Sequence, residues 1–208
     1  MRHTIKPFLL SALIAVTGIL LSGCYMPVRF DAEMEVTREG YYSIIFDGYL
    51  MKVPFYNDLR LKKLSIEEEK KKIEIYQKDL TRDSLMSDVA YIKQGIYRAH
   101  WKKEGDILQD KFITFIRRNE NMMSLRYVKT DGTVLLAGAT IGKEQKKQLA
   151  DMGLDMIGEL RLISNAKVIS HNATEVKEWP SRGPGFQMYI WTLSSIFAPS
   201  PRLAIKLH

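Results

Sequence analysis

Residues 28–37, VRFDAEMEVT, constrain the fold most tightly. Val28, Phe30, Ala32, Met34 and Val36 alternate with Arg29, Asp31, Glu33 and Glu35. That period of two describes a strand with one buried and one wet face; on a helix the same residues would scatter around the circumference. Such a strand needs a partner, and the chain supplies one at once. Arg38-Glu39-Gly40 forms a turn, and Tyr41–Val53 is rich in aromatic and β-branched residues up to Pro54, which predicts an antiparallel hairpin. Asp31, Glu33 and Glu35 share the polar face of that strand. They read as a wet carboxylate ladder before they read as a catalytic pair.

The pattern then changes period. Ser65 followed by Glu68 fits a capping box opening a helix over 65–80, with Glu67–Lys71, Glu68–Lys72 and Glu74–Lys78 as i,i+4 pairs. A second helix is expected from Ser84 to Gln94, with Leu85, Met86, Val89 and Ile92 on one side and Gly95 closing it. Strands return at 96–102, 108–117, 122–130 and 133–141. They are separated by turns at 104–106, Asn119–Asn121 and Asp131-Gly132, the last tolerating the positive φ that tight hairpins need. A short helix over 143–152 ends at Gly153, and strands follow at 157–163, 166–170, 186–193 and 203–207 around an irregular loop at 178–185. The expected fold class is α+β: an antiparallel sheet of about six to nine strands with two or three inserted helices.

The N-terminus reads differently from everything after it. Arg2 and Lys6 precede a 14-residue apolar run, Phe8–Leu21, which ends on Ser22, Gly23 and Cys24, the sole cysteine. A basic head, a short apolar segment and small residues form a secretory signal. The run falls short of the roughly 20 residues a membrane-spanning helix needs. Leu21-Ser22-Gly23-Cys24 resembles the bacterial lipoprotein lipobox. The resemblance implies cleavage between Gly23 and Cys24, acylation of Cys24 by diacylglyceryl and N-acyl (palmitate-type) chains, and a lipid-anchored place in the cell envelope. Tyr25 stands where an Asp would retain an enteric lipoprotein in the inner membrane, which favours the outer membrane facing the periplasm. The expected organisation is a cleaved signal at 1–23, lipidated Cys and tether at 24–30, and one ectodomain at 31–208.

Maturation removes Arg2 and Lys6 from 31 basic residues and leaves 24 acidic ones, a charge of +5 over 185 residues. Acylation of Cys24 would leave no thiol for a disulfide or a metal. Nucleic acid is an unsuitable partner for an exported chain. His100, His171 and His208 show no ligand spacing, and no hydrolase elbow or zinc motif occurs. Neither a metal nor another cofactor is expected. Asn172-Ala173-Thr174 fits a glycosylation acceptor in form only, and the glycines of 138–142 (GATIG) do not have phosphate-loop spacing. Met34, Phe46, Phe115 and Trp191, with Tyr42, Ile44 and Phe112, are candidates to line an apolar groove instead of filling a core.

Both ends of the mature chain are similar to the LppM-type family of bacterial lipoproteins. The motifs are Cys24, the charged strand Val28–Thr37, Gly40 and Tyr41–Phe46, then Ala166–Ser170, His171-Asn172-Ala173 and Tyr189–Leu193 with its Trp191. The resemblance implies a small α+β ectodomain with a hydrophobic cavity for a lipid or glycolipid. Three functions compete on the sequence. A non-catalytic lipoprotein binding an envelope protein partner comes first, a carrier of lipid or another apolar ligand second, and an envelope-acting hydrolase last.

Overall fold

The structure, a computed structural model, describes residues 25–115 and 122–207. The lipobox, the turn at Asn119–Asn121 and His208 lie outside the described residues. In chain order the elements are β1 (Tyr25–Val36), β2 (Tyr41–Lys52), α1 (Val53–Arg60), α2 (Ile66–Thr81), β3 (Met86–Lys93) and β4 (Ile96–Asp106). Then come α3 (Ile107–Asp110), β5 (Phe112–Phe115), β6 (Met123–Val128), β7 (Thr133–Gly138) and α4 (Lys143–Asp151). The chain closes with β8 (Ile157–Ser164), β9 (Lys167–His171), β10 (Glu175–Glu178), β11 (Gln187–Leu193) and β12 (Arg202–Lys206).

The strands form two sheets, one of seven in the order β10-β11-β8-β1-β2-β4-β3 and one of five in the order β5-β6-β7-β12-β9. Their inner faces share one core. Phe46 of β2 stacks on Phe115 of β5 with ring centroids 4.5 Å apart, and Trp101 of β4 meets the same ring at 5.1 Å. The fold is α+β and mostly sheet. It has more strands than the sequence predicts, divided between two sheets.

Alternation reads the inner face of β1 correctly: Ala32, Met34 and Val36 are all buried. The strand nevertheless begins at Tyr25, so the residues expected as a tether up to 30 already belong to the sheet. The alternation breaks there because a bulge between Pro27 and Arg29 shifts the register. One extra residue re-phases the strand, so Tyr25 joins the same core as Ala32. Proline lacks an N–H to donate and suits such a position.

Three expectations need correcting. The expected helix over 84–94 is replaced by edge strand β3, Met86–Lys93. Leu85 and Ile92 of the expected helical stripe are exposed, while Val89 and Tyr91 turn inward under α2, whose Gln77 Nε2 donates to the Val89 carbonyl at 3.3 Å. Pairing with β4 overrides the local period. Next, 104–106 is no hairpin turn: β4 continues to Asp106, opposite Tyr41, and α3 carries the chain across to the other sheet. Last, β8 runs parallel to β1, while β9 sits in the other sheet. The capping box is present, with the Glu68 amide donating to Ser65 Oγ and the Ser65 amide donating to Glu68 Oε2.

Candidate functional site

Each end of the paired sheets is capped by a short helix, and the two caps differ. At the end where β1 finishes, Asp106 Oδ1 accepts from the Leu108 amide at 2.8 Å and starts α3, which drops Ile107 wholly into the core. At the end where β1 starts, α4 covers the opening through Leu149, which packs with Met26, Met51, Val53, Leu154 and Ile196. Beneath that cap lies a part-enclosed cavity of about 270 Å³.

Its wall is built from both sheets. Tyr25, Pro27, Phe30 and Ala32 come from β1, Phe46 from β2, Phe115 from β5, Leu160 from β8 and Leu193 from β11. The rim is Met122, Gly138, Ala139, Thr140, Ile141, Gln145, Ser200 and Pro201. Among the described residues none of those lining it is charged. Rim polarity comes from Thr140, Gln145 and Ser200, and the Ser200 hydroxyl is already committed to the Ala139 carbonyl at 2.7 Å. The Tyr25 hydroxyl donates to the Tyr76 carbonyl at 3.3 Å.

Two glycines shape the wall. Phe30 lies opposite Gly48 on β2 and Gly158 on β8. A Cβ at Gly158 would come within 2.6 Å of the Phe30 ring, and one at Gly48 within 2.7 Å of Phe30 Cβ. Only hydrogen at both positions lets this ring lie along the sheet. From there the aromatics run inward, Phe30 to Phe46 at 5.9 Å and then Phe46 to Phe115.

Of the sequence candidates, Phe46 and Phe115 stand at the cavity wall. Met34 and Trp191 do not: both are buried in the filled core, and Trp191 Nε1 donates to Asn172 Oδ1 at 2.8 Å. Tyr42 and Ile44 are also core residues, and Phe112 is exposed. The carboxylates of β1 are paired with arginines: Arg161 of β8 reaches Asp31 and Glu33 as well as Glu159 of its own strand, and Arg182 bonds Glu35 at 2.7 Å. Burial works against the Arg161 charge, yet these bonds hold its pKa above the ordinary arginine range. On the outer face of β2 and β4, Arg98 holds the Asp47 carboxyl below its usual range, with His100 Nδ1 3.3 Å away. His171 packs edge-on against Tyr189. Among the described residues no group of three or more His, Cys, Asp or Glu is arranged to hold a metal, and no helix is long and apolar enough to cross a membrane.

The place of Phe30, Gly48, Gly158, Gly138 and Pro201 at or behind the cavity wall escaped the sequence reading. Glycine inside a strand was the available signal, since it marks close approach of another group.

Fold and cavity together define a two-sheet α+β domain with an apolar cleft at one end. Comparisons with protein families and with curated proteins find no match. Among solved structures the chain is similar to the NMR structure of the folded domain of the Mycobacterium tuberculosis LppM protein. Identity is 12%, the TM-score 0.43, and the match covers 91% of this chain and 94% of that one. Likeness at that level leaves the functional reading to the residues themselves.

Proposed function

We propose that this chain is a lipid-anchored, non-catalytic envelope protein whose ectodomain takes up an apolar ligand, an acyl chain or similar lipid tail, in the cavity between its two sheets. The observation that carries the reading is the cavity itself, with no charged side chain among the described residues of its lining. Its volume lies near the lower end of the roughly 300–1,000 Å³ typical of ligand sites, enough for part of a lipid and not a whole one. Position supports the same reading. Tyr25 forms part of the wall and directly follows Cys24, so an anchor there holds the cavity within reach of lipid. The protein-partner alternative rests on Ile66 and Ile75, which stand exposed on the charged helix α2. An apolar cavity built from both sheets is the more specific feature.

Native mass spectrometry of the full-length protein extracted from membranes tests this. Acyl mass on Cys24 and a co-purifying lipid are expected for the wild type, and the lipid should disappear in Ala139→Trp, which fills the rim. Cys24→Ser should lose the acyl mass and leave the membrane. A wild type without lipid, or a variant that keeps it, overturns the ligand reading; a Cys24→Ser protein still bound at full precursor mass overturns the anchor.

A further inference from the structure

Beside Met122 and Gln145 the rim is made by two loops, 138–142 and 194–201, and neither loop contains a charged residue in a chain that is 26% charged. They are tied together: the Ser200 hydroxyl bonds the Ala139 carbonyl, and the Gly138 amide donates to the Pro201 carbonyl at 2.8 Å. Ile196 is buried beside Met26 and Leu149, yet its neighbour Phe197 is 58% exposed. Exposed to that extent, the ring buries little of its apolar area in the fold, and it stands beside the mouth of an apolar cavity. Next to it, Lys146 Nζ donates to the Ala198 carbonyl at 3.3 Å, which places a cation beside the loop. At the opposite end the tight turns are themselves charged, carrying Arg38, Glu39, Lys129 and Asp131, whereas here the charges of Lys143, Glu144 and Asp155 flank the two loops without entering them.

We propose that loops 138–142 and 194–201, with Phe197 at their tip, seat in the interfacial layer of a phospholipid bilayer, so that the cavity mouth opens directly onto lipid. The proposal rests on Cys24 as the anchor, since a chain attached one residue before Tyr25 brings this end to the membrane. An aromatic ring favours the interfacial layer, where its apolar body is buried. Lys146 lies within reach of lipid phosphates, and its stem can lie along the apolar loop while its amine stays in water.

Because Cys24 is the sole cysteine, its acylation leaves an introduced cysteine as the only free thiol. The acylated full-length protein is labelled with a fluorophore at Pro199→Cys or, for comparison, at Glu39→Cys on the far end. Each is reconstituted into phosphatidylcholine–phosphatidylglycerol vesicles bearing brominated acyl chains. Quenching severalfold stronger at 199 than at 39 is the expected result. Equal quenching in protein that floats with the vesicles overturns the docking and leaves the anchor intact. A label at 199 hidden from both water and lipid also overturns it, by showing a protein covering this face. Protein that lacks acyl mass and does not float overturns anchor and docking together.

Discussion

The two ends of the paired sheets meet the same problem, an apolar interior open to water, and solve it differently. At one, α3 inserts Ile107, and Val36, Tyr42, Ile113 and Leu125 close around it with almost no exposure. At the other, α4 stands on the edge of the sheets, and the facing residues are Gly138, Ala139 and Pro201, too small to fill the gap. A core needs complementary volumes from both sides, so an opening appears wherever one side is small. The lesson is that apolar sequence alone does not separate the filled end from the hollow one.

The widest gap between the ends should appear on truncation. Ile107→Ala leaves a void enclosed by packed neighbours and is expected to cost about 3–4 kcal/mol. Leu193→Ala already borders open space and should cost about 2 kcal/mol, the bottom of the range for such changes. Urea unfolding of both variants measures the difference, and equal losses would break the distinction.

An intermediate effect concerns Tyr42, whose hydroxyl is hydrogen-bonded to Asp110 at the filled end. Burial first, and this bond second, raise its pKa above the ordinary tyrosine value; burial raises Tyr97 likewise. A group raised by folding contributes stability fully below its unfolded value near 10 and loses it as pH climbs toward the folded value. Stability should therefore fall from about pH 10 upward. Tyr42→Phe should flatten that fall while costing about 1 kcal/mol at neutral pH. Denaturation midpoints collected from pH 7 to 11 decide the matter; a variant with an unchanged slope would exclude Tyr42 as the cause.

Smallest of all should be the effect of Ala139→Trp on stability. It fills space at a half-exposed rim, so a change within about 0.5 kcal/mol is expected when lipid-free wild type and variant are compared. A large loss of stability would show that the rim is packed more tightly than an open mouth allows.

Much of this architecture is written locally. The alternation through Val36, the Ser65–Glu68 box and the Asp131-Gly132 turn each depend on neighbours a few residues apart, and each is readable. What is not readable depends on distant partners. Nothing near Ser84–Gln94 announces that β4 will pair with it, and nothing in 157–171 tells that β8 joins β1 while β9 crosses to the other sheet. The site follows the same rule. Phe46 and Phe115 border the cavity while Met34 and Trp191 fill the core. All four are large and apolar, and what separates them is the size of the residues opposite.

The strand that leads to Cys24 is the middle one of seven, hydrogen-bonded to β2 on one side and β8 on the other. A pull applied through residue 24 acts along the axis of β1, so the bonds of two ladders are loaded in parallel and must shear together. An edge strand would peel away one bond at a time. An anchor on the N-terminal side would therefore be gripped at the mechanically strongest element of the body, and its tension borne by the sheet as a whole.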